Sequence, residues 1–373
     1  MNMDGGVSPN QLIKILETLE MEGDQRVVPM LWGQPGIGKS EAVQQYADCL
    51  RDRLGREVIV HDVRLTLYSA VDLKGLPVPN EDKTESIWLR PEIFKMDSDD
   101  DKINILFLDE LSSAVPQVLV ASYQLILNRE VAGHRLPDNT IIICAGNRKS
   151  DRGVVNKMPS PLANRMMHLN ITFDIDSWRD WAFRNKVDDL VIGFISARPD
   201  RANTFEQEKG QSVAFATPRS WAKLSEVVKK RAFWDMDEDL RYNVIEGLIG
   251  SVVHEFLDYS RVVEKAISFE KIVKGEWREY EFKHFSDARD IEFYLYSMIV
   301  GQLANRKEYK KGEVDNVVDF IAEKFSGNEM ITLAFGSILT QCKGIEDIMI
   351  NNNTFAKWLQ ENDELMKKID KMG

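Results

Sequence analysis

Eight consecutive residues, Gly33-Gln34-Pro35-Gly36-Ile37-Gly38-Lys39-Ser40, join three glycines to an amine and a hydroxyl. The spacing G-x-x-x-x-G-K-[ST] suits a triphosphate, which demands many hydrogen-bond donors at short range. Backbone N–H groups supply them without bulk. Gly33, Gly36 and Gly38 allow positive φ and a close approach of the main chain, and Gln34, Pro35 and Ile37 complete the phosphate-cradling loop. Lys39 can reach the β- and γ-phosphates of ATP, and the Ser40 hydroxyl can ligate Mg²⁺. The positive end of a helix starting here would face the same anion. A glycine turn between a strand and a helix is the plainer alternative, and the full eight-residue pattern argues against it.

A second cluster is acidic. The apolar run Ile103–Leu108 ends in Asp109-Glu110. At the carboxyl end of a sheet strand, Asp109 can hold the Mg²⁺ shell and Glu110 can polarise a water for in-line attack on the γ-phosphate. An acidic turn after a strand means little alone; beside a phosphate loop it reads as catalytic. Three polar residues follow at element ends. Asn147, after the run Thr140–Gly146, is placed to orient the attacking water. Arg165 closes Pro161-Leu162-Ala163-Asn164-Arg165, and hydrolysis gains greatly from a guanidinium donated by a neighbouring subunit. Arg219, in Thr217-Pro218-Arg219 at a helix start, can touch the phosphates and report their state. Each has an ordinary alternative: Asn147 as a turn former, the arginines as surface residues.

These residues need a scaffold. Residues 26–32 read as a strand before the loop, and Glu41–Leu54 as a helix after it that Gly55 ends. Further strand-like runs span Val58–Val63, Ile103–Leu108, Thr140–Ala145 and Met167–Phe173. Ser8-Pro9-Asn10-Gln11 has the form of a capped helix start, with Leu12, Ile15, Leu16 and Leu19 following at helical spacing. Val115–Arg129 reads as a helix entered through Pro116. Strands alternating with helices predict a parallel sheet covered on both faces. Past residue 174 the strands stop. Helical patterns cover Asp176–Asn185, Asp188–Ala197, Pro218–Lys230, Asp237–Leu257, Asp287–Arg306, Glu313–Phe325, Glu329–Cys342 and Thr354–Lys368, while Tyr259–Phe285 lacks a clear period and reads as a linker or small irregular insert.

Composition narrows the class. The 373 residues suit two or three domains, and 43% hydrophobic content suits a sizeable core. No apolar run approaches a membrane span, and Met1–Gly6 lacks the pattern of a secretory leader, so the expected setting is cytoplasmic. The net charge of −12 argues against a broad duplex-binding face. Cys49, Cys144 and Cys342 show no disulfide or metal spacing, and Cys49 and Cys144 are expected as buried thiols. The run Asp97–Asp101 reads as a solvated loop, because no glycine turn or terminal Glu completes a calcium loop.

Taken in order, these motifs resemble an AAA+ ATPase: phosphate loop, acidic strand end, sensor Asn, trans-acting Arg and sensor-two Arg. Within that superfamily the chain resembles the MoxR-type branch, whose relatives include the cobaltochelatase ATPase subunit, the gas-vesicle and nitric-oxide-reductase accessory ATPases, and midasin. Three stretches carry the finer likeness. Leu67–Pro77 resembles the insert in the branch's second helix, and Arg129–Pro137 the hairpin before sensor one. Ala145–Arg148 and Pro161–Arg165 resemble the stretch from sensor one to the arginine finger. The likeness covers roughly residues 8 to 255.

The resemblance implies a P-loop α/β core over residues 1–173, a helical lid with sensor two over 174–258, and a mainly helical extension over 259–373. It implies ATP and Mg²⁺ as cofactors, with Lys39 and Ser40 on phosphates and metal, Asp109 on metal and Glu110 as base. Asn147 becomes sensor one, Arg165 the finger and Arg219 sensor two, with Arg148 and Arg152 as further candidates for a trans-acting role. It implies a homo-oligomeric ring, commonly a hexamer, that remodels a partner protein, often one with a von Willebrand factor A domain. The insert and hairpin would line a pore or meet a partner, and His134 reads as a loop residue. Two alternatives stay open. One is a nucleic-acid motor or loader, favoured by the basic cluster Arg148, Lys149, Arg152, Lys157 and Arg165. The other is a non-motor ATP-dependent switch.

Overall fold

The structure, a computed structural model, describes residues 5–21, 27–99, 101–151, 156, 158–208, 213–283 and 287–362. It divides into two compact units, Met1–Asp174 and Ile175–Gly373.

The first unit is built on five parallel strands: β1 (Val28–Trp32), β2 (Glu57–Arg64), β3 (Lys102–Asp109), β4 (Thr140–Gly146) and β5 (Met166–Asn170). Their order across the sheet is β2-β3-β4-β1-β5. Val63 pairs with Leu108, Leu106 with Ile142, Met30 with Cys144 and Met30 with His168. The chain enters at β1, crosses to the edge at β2, steps back through β3 and β4, and adds β5 on the far side of β1. The carboxyl ends of β1, β3 and β4 therefore open on one crevice, where open α/β sheets bind ligands.

Helices cover both faces. Helices α1 (Pro9–Met21) and α2 (Lys39–Leu54) pack Leu12, Leu16, Val43, Tyr46 and Leu50 onto Leu31, Ile105, Phe107 and Ile143. On the other face, α3 (Ala70–Lys74) and α4 (Pro116–Asn128) bring Leu73, Val118, Ala121 and Leu125 against Met30, Leu106, Leu108 and Ile142. Because both faces are covered, β3 is apolar from Ile105 to Leu108 without alternation. Ser8 caps α1 as expected: its Oγ accepts from the Gln11 N–H at 3.2 Å, and Gln11 Oε1 accepts from the Ser8 N–H at 3.0 Å. Gly55 ends α2 in the left-handed region.

Two additions lie outside the expected strands. Pro77–Pro79 pairs antiparallel with Ser86–Trp88, a hairpin that starts where the expected insert Leu67–Pro77 ends. Glu130–Val131 pairs with His134–Arg135, the short hairpin expected before β4, and His134 Nε2 lies 2.7 Å from the Trp88 carbonyl.

The second unit contains helices and no strand among its described residues. Helix Ala288–Ala304 is buried from Ile291 to Val300, apart from the half-buried Tyr294, while Arg289 and Gln302 near its ends are exposed. Phe194 of helix Asp189–Ala197 meets the rings of Trp221, Phe256 and Tyr259.

Several expectations need correction. The pattern at Asp237–Leu257 resolves into two helices, Glu238–Ile249 and Val253–Val263, broken where Gly250 takes φ 62. Helix Val253–Val263 belongs to the compact unit Ile175–Gly373. Tyr259–Phe285 is no linker over its described residues. Helix Phe269–Val273 lies within it, and Trp277 and Phe282 are buried at 2% exposure each. Lys324 Nζ clamps the segment, donating to the Arg278 carbonyl at 3.1 Å and to Glu281 Oε1 at 2.7 Å. Cys49 is half-buried, whereas Cys144 and Cys342 are buried. The last helix is described as Asn353–Glu361, and the expected remainder to Lys368 lies outside the described residues, as do 284–285 and Asp100.

Candidate nucleotide site

The phosphate loop runs directly from β1 into α2. Gly36 and Gly38 take φ 77 and 104, conformations a side chain would disfavour. Gly33 needs its lack of a side chain for another reason than the expected positive φ. A Cβ there would come within 3.1 Å of Ile37 Cγ2 and 3.2 Å of the Ile171 carbonyl oxygen. Ile37 is buried, and Gln34, Pro35 and Gly36 are half-buried at the rim. Gly38 caps α2 without a side-chain bond, which leaves the first N–H groups of the helix for an anion.

The chemical groups converge within hydrogen-bond distance. Lys39, only 9% exposed, donates from Nζ to the Gly33 carbonyl at 2.7 Å, the Gln34 carbonyl at 3.2 Å and Asn147 Oδ1 at 3.0 Å. Ser40 Oγ donates to Asp109 Oδ2 at 3.2 Å, and Asp109 Oδ1 accepts the Glu110 N–H at 2.8 Å. Ser112 braces the crevice: its Oγ donates to the Asn147 carbonyl and accepts the Asn147 N–H, each at 3.0 Å. The sheet order explains the meeting, since β3 and β4 are neighbours and β4 borders β1.

Glu110 sits in the left-handed region at φ 58. Its carboxylate is held from β2 and the turn after it. Thr66 Oγ1 donates to Glu110 Oε2, and Arg64 Nε lies 4.0 Å from Oε1. On β2, loss of hydration and then the charges of Asp109 and Glu110 push the Asp62 carboxyl above its usual range, with Arg64 pulling the other way. Thr66, Arg64 and Ser112 carried no signal in the linear sequence. Only the placement of β2 beside β3 brings the first two to Glu110.

The remaining candidates separate. Arg148 is engaged within its own chain: Nε lies 3.2 Å from Oδ2 of the buried Asp151, and NH1 donates to Asn170 Oδ1 at 3.1 Å. Arg165 is exposed in the turn after helix Ser160–Ala163 and makes no side-chain ion pair among the described residues. Arg219 lies in the second unit, exposed on helix Pro218–Val228, whose cap is the Thr217–Ser220 box. Arg152 and Lys157 lie outside the described residues, and the Lys149 side chain is likewise not described.

No protein-family model matches the sequence, and no curated protein matches it. Among solved structures, a RuvB mutant from Thermotoga maritima is similar at 17% identity, covering 72% of this chain and 74% of that one, with a TM-score of 0.36. Aeropyrum pernix ORC1 in complex with DNA is similar at 14% identity, covering 84% and 81%, with a TM-score of 0.36. PCH-2 from C. elegans is similar at 11% identity, covering 78% and 65%, with a TM-score of 0.28. The fold rests on the strand order and the loop: a P-loop α/β core with a parallel sheet, followed by a helical C-terminal part. No helix among the described residues is long and apolar enough to cross a membrane.

Proposed function

We infer that this chain is a ring-forming, Mg²⁺-dependent ATPase of the AAA+ type, which couples hydrolysis to remodelling of a partner protein. The observation that carries the reading is the convergence of two pairs at one crevice: Lys39 Nζ lies 3.0 Å from Asn147 Oδ1, and Ser40 Oγ lies 3.2 Å from Asp109 Oδ2. A bare glycine turn gives no reason for an ammonium, a hydroxyl, a carboxylate and an amide to gather there.

The donor set fits the metal. A hydroxyl and a carboxylate 3.2 Å apart are hard oxygen donors suited to Mg²⁺. Ser40 and Asp109 would hold the ion, which neutralises charge on the phosphate oxygens. The chain's own residues do the rest. The loop N–H groups and Lys39 bind and orient the triphosphate, and the Lys39 amine exchanges loop carbonyls for phosphate oxygens. Glu110, freed from Thr66, takes a proton from water. Asn147 holds that water in line. Arg165, exposed and without a side-chain ion pair among the described residues, is the guanidinium offered to a neighbouring copy, while Arg148 stays with Asp151. Arg219 serves as sensor two.

The motor reading follows the MoxR-type resemblance, as does a von Willebrand factor A domain partner. The overall charge of −12 disfavours a nucleic-acid track. Specific ATPase activity is expected to require Mg²⁺ and to rise with protein concentration as subunits supply one another's arginine. The Glu110→Gln protein held in ATP should then retain a stoichiometric protein partner and release it in ADP. Absence of turnover at any concentration sinks the ATPase reading. Nuclease-sensitive nucleic acid in place of a protein sinks the remodelling one.

A further inference from the structure

Between the phosphate loop and the arginine turn lies one histidine with both ring nitrogens engaged. Trp32, the last residue of β1 and the one before Gly33, donates its indole N–H to His168 Nδ1 at 2.8 Å. His168 Nε2 lies 2.8 Å from the Ala163 carbonyl oxygen. An indole N–H can only donate and a carbonyl can only accept. Nδ1 therefore carries the lone pair and Nε2 the proton, and one neutral tautomer satisfies both neighbours. The two rings also stack, with centroids 5.9 Å apart and planes 19° from parallel.

The far end of this chain of contacts is short. Ala163 ends helix Ser160–Ala163, and the Arg165 N–H donates to the Leu162 carbonyl at 3.1 Å, so Ala163 and Arg165 share one tight turn. The Arg165 side chain has no ion pair of its own among the described residues to fix it. Its direction is set by the backbone of the turn, and the turn is fastened to β1 through His168.

We propose that His168 is a positioning residue that ties the arginine turn to the strand feeding the phosphate loop, so that the nucleotide state of one subunit sets how it presents Arg165 to the next. The inference rests on the reading of Arg165 as a trans-acting residue. A displacement of Gly33 on binding phosphate moves Trp32, and the indole carries that movement through the imidazole to Ala163.

The test uses His168→Ala, which removes both bonds, and Trp32→Phe, which keeps an aromatic ring for the stack and removes the donor. A misplacement of about 1 Å at a reacting group can cost up to ~100-fold, so kcat should fall about 10- to 100-fold with KM for ATP within about 2-fold. Each variant is then mixed with Glu110→Gln subunits, which bind ATP without hydrolysing it and keep an intact arginine. Arg165→Ala mixed in the same way is the control. Activity restored in all three mixtures supports the proposal, because the variant's own site was sound and only its presentation of arginine failed. Restoration with Arg165→Ala but with neither His168→Ala nor Trp32→Phe overturns the proposal and leaves the finger standing. Failure of the Arg165→Ala mixture overturns the trans-acting reading and this inference together. If His168→Ala does not fold, Trp32→Phe decides alone.

Discussion

In the first unit, Lys39 holds Asn147 and Ser40 holds Asp109 through bonds that phosphate and metal would replace in the proposed function. In the second, polar groups, of which Lys324 and Glu292 are buried, hold helices and turns to one another. Arg198 grips Asp290 with two bonds of 3.0 and 2.8 Å, Lys324 clamps Glu281 and the Arg278 carbonyl, and Glu292 caps Ser326 at the start of helix Gly327–Gln341. The contrast teaches how to tell a site from a scaffold. Exchangeable partners gathered at strand ends mark chemistry; partners locked between helices mark assembly of the fold.

That contrast can be broken by mutation. The largest effect belongs to the arginine turn: Arg165→Ala should lower turnover about 1,000-fold while ATP affinity stays within about 2-fold, read by steady-state ATPase and by nucleotide titration. Full turnover would pass the role to another arginine. Trp277→Ala should destabilise the second unit by ~3–5 kcal/mol, seen as a lower unfolding midpoint, with ATP affinity unchanged. An unaffected midpoint would mean that the segment around Trp277 is a linker after all. Lys39→Ala should weaken ATP binding about 100-fold, taking ~3 kcal/mol for a charge-assisted contact. Normal affinity would overturn the loop assignment. The smallest effect sharpens the picture: Thr66→Ala should raise basal turnover by about 2- to 10-fold, since a bond of ~0.5–1.5 kcal/mol holding Glu110 at rest is gone. A fall would mean that Thr66 helps the reaction rather than restrains the base.

The sequence displayed the parts of the site that are contiguous. The phosphate loop, Asp109 with Glu110, and Asn147 each sit at the end of an apolar run, so the pattern of runs located them. Thr66, Arg64 and Ser112 were hidden because their partners come from strands far apart in sequence, and a linear pattern does not state strand order. The same blindness applied to Trp32 and His168, 136 residues apart. In the second unit, periodicity found the long helices and failed where pieces are short. Phe269–Val273 is only five residues long, too few for a period to show, and Gly250 broke one apparent helix into two. The loop pattern does not show the constraint on Gly33, which is the approach of Ile37 and the Ile171 carbonyl rather than its own φ.

The left-handed turn at Glu110 has a consequence for time. Its N–H is held by Asp109 Oδ1 and its backbone sits in a sparsely populated region, so the peptide is pinned. Only side-chain torsions remain to carry the carboxylate away from Thr66. Torsional hops of a partly exposed side chain take picoseconds to nanoseconds, far faster than enzymatic turnover. In the proposed role of Glu110 as base, its availability is therefore governed by how often the carboxylate is free, never by how quickly it gets free, and release from Thr66 does not limit the rate.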